Sequence, residues 1–186
     1  MNGRSNAEEQ CLQGGLEADH RQVKLILTEL AVASGDLGSL AQRLVVEKPK
    51  HEATEEMHFR PAVREKLPNG DALADAALEQ EEEGKEALDA LRKAKPGDAE
   101  FLRLVDRLGS AGQAHISYEE TQVWPVLRTV LSSKEVDELG SKLESAKESG
   151  PTRPHPGGRD DPAGLKSLGV AASAMDRVRD AITNRD

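Results

Sequence analysis

Two segments of this chain carry one pattern. Residues 51–67 read HEATEEMHFRPAVREKL, and residues 115–131 read HISYEETQVWPVLRTVL. Both fit H-x-x-x-E-E-x-x-x-x-P-x-[VL]-R-x-x-L, so seven positions recur at the same spacing. The chain has only five His and nine Pro, which makes coincidence a weak explanation. A duplicated helical hairpin could share leucine and proline for packing alone. Packing does not explain a histidine and a glutamate on an apolar stripe.

The periodicity around the repeat is helical, and strand-like alternation is scarce. The spacing predicts helices over about 16–33, 37–66, 71–93 and 99–131, separated by turn residues at Gly35–Asp36, L-P-N-G (67–70) and K-P-G-D (95–98). Short connections favour antiparallel neighbours, so the expected fold is all-α, an up-down-up-down four-helix bundle with additional C-terminal helices. The capping signal S-S-K-E (132–135) opens a further helix to about residue 148. The expected division is an N-terminal segment 1–15, a bundle 16–131, an additional helix 132–148, a Pro/Gly loop 149–164 and an amphipathic helix within 165–186. That last helix offers an apolar face to the bundle or to a partner, a second copy of the chain included.

A His and a carboxylate four residues apart lie one turn apart on one helix face and can reach the same ion or adjacent ions. Burying either without a partner costs several kcal/mol, and a shared cation removes that cost. The inward stripes offer His20 on the first helix, His51 and Glu55 on the second, Glu81 on the third, and His115 and Glu119 on the fourth. These six are the candidate metal ligands. Four-helix bundles that hold two iron or manganese ions are built from such side chains. Imidazole with carboxylate suits iron or manganese, and no inward Cys suggests a thiolate site. For Glu81 there is a plain alternative, since E-Q-E-E-E (79–83) also reads as a solvated acidic run.

A-D-H (18–20), the two H-x-x-x-E-E segments and the acidic third helix resemble the hemerythrin-like, HHE cation-binding domains over roughly residues 10 to 148. The tail segments A-K-E-S-G-P-T-R-P-H-P (146–156) and D-R-V-R-D (176–180) are similar to extended bacterial members. The resemblance implies a four-helix bundle around a non-haem centre of two Fe ions, with Mn an alternative. It implies a small ligand, namely peroxide, dioxygen or nitric oxide. It also implies that His20 and His51 ligate one iron, that His115 ligates the other, and that Glu55 and Glu119 bridge them. The third helix departs from the pattern: Glu81 stands where the family usually has a His, and Lys85 where oxygen carriers add a second one. That makes reversible dioxygen storage a weaker expectation here than in the carriers, with peroxide or nitric oxide handling the concrete expectation, and a remodelled or decayed site is an alternative. A metal-binding sensor or interaction module without turnover is a third reading. Lys48, Pro49 and Arg60 are further departures near the repeat.

Other residues have plainer readings. His58 is expected at a helix boundary, His155 in a loop, and Cys11 as an unpaired thiol. Tyr118 and Trp124 read as packing residues, or as electron-transfer neighbours if they lie by the centre. Lys48 either snorkels to solvent or pairs with an acidic residue. The formal net charge of -9, with R-K-A-K (92–95) as the longest basic stretch, argues against a nucleic-acid partner. A single cysteine, an N-terminus without an apolar run and no stretch of ~18 apolar residues predict no membrane partner and a cytoplasmic location.

Overall fold

The computed structural model describes the backbone of residues 6–149 and the side chains of residues 15–147. Residues 150–164 of the expected loop and the helix 165–183, with His155, fall outside the described residues, as does the Cys11 side chain; residue 149, expected to open the loop, ends the last described helix. The chain forms α1 (Asn6–Ala31), α2 (Leu37–Thr54), α3 (Arg60–Lys66), α4 (Gly70–Lys93), α5 (Ala99–Tyr118), α6 (Trp124–Val130) and α7 (Ser133–Ser149). The first helix starts ten residues earlier than its apolar stripe suggests, inside the segment expected to precede the bundle.

The second and fourth helices of the bundle are each interrupted by one π-helical turn, Glu55–Phe59 and Glu119–Val123. The cause is local. Pro61 and Pro125 lack an amide hydrogen and their rings crowd the carbonyl four residues back, so the preceding turn widens. The Arg60 amide then donates to the Glu55 carbonyl, and the Trp124 amide to the Glu119 carbonyl. The repeat therefore encodes a bulge that begins at its first glutamate.

Local chemistry sets the helix ends. Asp36 accepts from the Gly38 and Ser39 amides at the start of α2, and Asp98 accepts from Phe101 at the start of α5. Ser132 and Glu135 form a reciprocal capping box before α7. The α3–α4 turn is tight enough that a Cβ on Gly70 would lie 2.2 Å from the Val63 carbonyl oxygen.

The bundle has two apolar layers. One contains Leu30, Leu44, Leu88 and Phe101; the other contains Leu16, Phe59, Val63 and Leu127. Along each long helix the candidate ligands lie between these layers: His20 falls between Leu16 and Val23, and His115 and Glu119 between Leu108 and Val123. The polar band is thus sealed above and below by hydrocarbon. α7 packs across α1, α2 and the first π-helical turn, closing one flank. No described helix is long and apolar enough to cross a membrane.

Candidate metal centre

All six candidate residues are buried, with Glu55, Glu119 and His20 fully so. They fall into two sets. His20, His51, Glu55 and Glu119 bring one ligand atom each within 4.8 Å of one another, and so do Glu55, Glu81 and His115. Glu55 is common to both. Its Oε1 lies 3.0 Å from His51 Nε2 and 3.8 Å from His20 Nε2, while its Oε2 lies 3.7 Å from His115 Nε2. Glu119 Oε2 lies 3.5 Å from His20 Nε2 and 3.9 Å from His115 Nε2.

The first set fits one metal ion. Bonds of about 2.0–2.2 Å put neighbouring ligand atoms roughly 3 to 3.5 Å apart. The His20 and His51 Nε2 atoms are 3.1 Å apart, and the Glu55 and Glu119 contacts extend this spacing. Both carboxylate oxygens of Glu55 and of Glu119 are buried and make no well-formed hydrogen bond among the described residues, although nitrogens of His20, His51 and His115 face these carboxylates at 3.0–3.9 Å. Orphaned buried carboxylate oxygens are costly unless a cation satisfies them.

The outer nitrogens of the first set are supported. His20 Nδ1 is 3.1 Å from Glu120 Oε1, and Lys24 donates to the same carboxylate at 3.0 Å. His51 Nδ1 is 3.6 Å from Asp19 Oδ2, and Lys147 of α7 contacts the other Asp19 oxygen. Trp124 stacks on His20 with centroids 5.0 Å apart. Carboxylates behind ligating imidazoles fix tautomer and ring orientation. Asp19→Ala is therefore expected to weaken metal binding by about 10–100-fold. Competition against a calibrated chelator measures it; unchanged affinity would show that Asp19 does not orient His51.

The second set meets a different environment. Arg60 contacts Glu81 closely and lies 3.7 Å from Glu55 and 3.4 Å from Glu56. Lys85 donates to Glu56 at 3.0 Å. Burial works against the Arg60 charge, but Glu81, Glu55 and Glu56 more than offset it and raise its pKa. Burial likewise pushes the Glu81 carboxyl up, with Arg60 the strongest influence pulling it back. Burial lowers His115, while Glu55, Glu119 and Glu81 outweigh it and bring its pKa up to about 9. Burial also opposes the charges on His51 and His20; contacts with Glu55 and Asp19 raise His51 well above 6.5, and Glu119 and Glu55 raise His20.

The remaining sequence candidates take defined places. Lys48 is buried and pairs with Glu52, and glycine at 84 leaves it room, because a Cβ there would stand 3.0 Å from its Nζ. His58 is half-buried and lines a surface groove with Lys66 and Lys142. The Tyr118 hydroxyl donates to the Leu73 carbonyl, a packing role, whereas Trp124 lies against the centre. The roles of Asp19, Glu56, Glu120 and Lys24 emerge only from the fold. The second glutamate of each E-E pair was the available signal, since it recurs in the repeat and pairs with a lysine in both halves.

A family model, the hemerythrin HHE cation binding domain, matches residues 14–127. The chain belongs to the hemerythrin family. That membership implies a cation-binding domain, and the two His/Glu groups at the bundle's middle are groups that could hold a metal ion. An uncharacterized hemerythrin-like protein of Schizosaccharomyces pombe is 28% identical over 74% of this chain and 68% of its own length. A DNA nickase of Nostoc sp. is 24% identical over 77% of this chain, which spans only 41% of that relative. No solved structure matches the hemerythrin chain significantly.

Proposed function

We propose that the chain is an iron-binding protein that meets a small oxidant or diatomic ligand, namely peroxide, dioxygen or nitric oxide, at its buried centre. His20, His51, Glu55 and Glu119 are the proposed ligands of an ion, and Glu81 and His115 face the place of a second ion in the di-iron members. Manganese suits the same donors. The supporting observation is the pair of fully buried glutamates whose four oxygens make no well-formed hydrogen bond among the described residues, converging with the facing Nε2 atoms of two histidines. When bound, iron would supply an open coordination position for the small ligand.

The chain's own residues shape access to that position. The apolar layers and Trp124 keep bulk water from the histidines. A cleft of about 360 Å³, lined by Asp19, Gln22, Arg43, Glu47 and Lys147 among others, opens beside Asp19. Asp19 contacts His51 from that side, so the cleft is the proposed approach for a small ligand. The net charge of -9 gives no support for carrying over the DNA-directed role named for the cyanobacterial relative.

Peroxide consumption by the iron-loaded chain tests the enzymatic form of this reading. Turnover above that of free iron, lost in His51→Ala, is expected. Turnover equal to that of free iron, with no optical change on adding peroxide or nitric oxide, would count against any role with these ligands.

A further inference from the structure

The two halves of the centre differ in a way that bears on how many ions it holds. Resting on the metal-binding reading above, we propose that the chain holds one divalent cation, in the set His20, His51, Glu55 and Glu119, and that the Arg60 guanidinium stands in the place of a second.

The geometry is specific. The second set consists of His115 Nε2, Glu55 and Glu81. Glu55 Oε2 and Glu81 Oε1 are the oxygens nearest His115, at 3.7 and 3.4 Å. Arg60 Nη2 lies 3.7 Å from that Glu55 oxygen and contacts that Glu81 oxygen. One guanidinium nitrogen therefore contacts Glu81 and lies within ion-pair distance of Glu55, the two carboxylates that a second ion would need. Arg60 is 5% exposed, so an incoming ion would have to displace a buried guanidinium and strip it of its counter-charges.

The internal repeat shows what changed. Arg60 and Trp124 occupy the same repeat position, immediately before the proline. In one half Trp124 stacks on His20; in the other Arg60 pairs with Glu81. The surrounding pairs match across the halves: Lys24 with Glu120, four residues after His20, and Lys85 with Glu56, four residues after Glu81. Behind His51 stands Asp19, one residue before His20; one residue before Glu81 stands the neutral Gln80. Neither His51 Nδ1 nor His115 Nδ1 makes a hydrogen bond among the described residues, but His51 Nδ1 has the Asp19 carboxylate 3.6 Å away, whereas no described carboxylate lies within 4 Å of His115 Nδ1. The exchange of a His and Trp for a Glu and Arg is a matched replacement of ligand by ion pair.

Charge agrees with the geometry. Around the centre Glu81 has Arg60, Glu56 has Lys85, Glu52 has Lys48, Asp19 has Lys147 and Glu120 has Lys24. Glu55 and Glu119 remain, and with the histidines neutral, as ligation requires, their two negative charges equal one divalent ion. A second such ion would leave an excess of positive charge in a hydrocarbon-sealed band.

Native mass spectrometry of the metal-stripped chain titrated anaerobically with Fe(II) reads the stoichiometry directly. Saturation at one ion per chain is expected. The double variant Arg60→Trp with Glu81→His, which copies the first half into the second, is expected to take a second ion. Two ions on the unaltered chain would overturn the proposal while leaving the metal-binding reading intact; none would overturn both. A double variant with unaltered helicity that still takes one ion would show that Arg60 and Glu81 do not exclude the second. The count on the unaltered chain decides the proposal even if the variant does not fold.

Discussion

Arg60→Ala is expected to destabilise the protein by about 3–5 kcal/mol, because it leaves buried carboxylates without their counter-charge. For a chain of this size that corresponds to a fall in melting temperature of roughly 6–20 °C. Glu81 is 1% exposed, and Arg60 is the cation in contact with it. Burial pushes the Glu81 carboxyl up, so without Arg60 it would take a proton more readily, and the deficit should narrow as pH falls. Arg60→Leu combined with Glu81→Leu should recover much of the loss, since replacing both charges removes the burial penalty with the pairing. Thermal melts of the three proteins at two pH values measure this. A melting temperature for Arg60→Ala within 2 °C of the unaltered chain would show that Glu81 does not depend on it.

The second large effect is expected at Glu55. Its Oε1 faces His20 and His51, and its Oε2 faces His115 and Arg60, so it joins the two halves of the centre. Glu55→Gln keeps the shape but removes the charge that draws in a cation. Loss of outer-sphere partners costs about 10–100-fold in metal affinity, and loss of a ligand carboxylate should exceed about 100-fold. Metal binding should also depend on pH. His20 and His51 have pKa values raised above 6.5 in the folded chain, so binding must displace their protons, and affinity should rise with pH above that value. The sign for the metal-stripped chain is opposite. A histidine whose pKa is raised by folding stabilises fully below 6.5, and that contribution is lost as pH rises through the folded value, about 9 for His115. Equilibrium dialysis across pH 6 to 9, with melts of the stripped chain in the same buffers, reads both trends. Metal affinity that is flat with pH would contradict the proton competition.

Much of this was legible in the sequence. Helical periodicity, capping residues and turn chemistry locate the bundle helices within a few residues, because apolar stripes and Gly/Pro breaks act locally; the exception is the start of α1, which runs ten residues ahead of its apolar stripe. His51 with Glu55 and His115 with Glu119 were legible because four residues make one turn. Glu81 was less so: the stripe Ala77, Glu81, Gly84 and Leu88 turns it inward, but E-Q-E-E-E reads equally as a solvated run, and its partner Arg60 lies 21 positions away. The π-helical turns were encoded by Pro61 and Pro125, but their effect appears only when the missing amide is traced to a particular carbonyl. The salt-bridge ring could not be read from spacing, since Lys24 reaches Glu120 and Lys147 reaches Asp19 across the tertiary fold.

The central claim is that the polar band is a cation site and not a self-satisfied network. The metal content of the chain purified from an iron-supplemented culture, paired with its melting temperature before and after chelation, tests it most directly. Bound iron at about one ion per chain, with a melting temperature that falls on chelation and recovers on reloading, is expected from linkage. A chain that carries no metal, and melts at the same temperature with and without added iron, would contradict it.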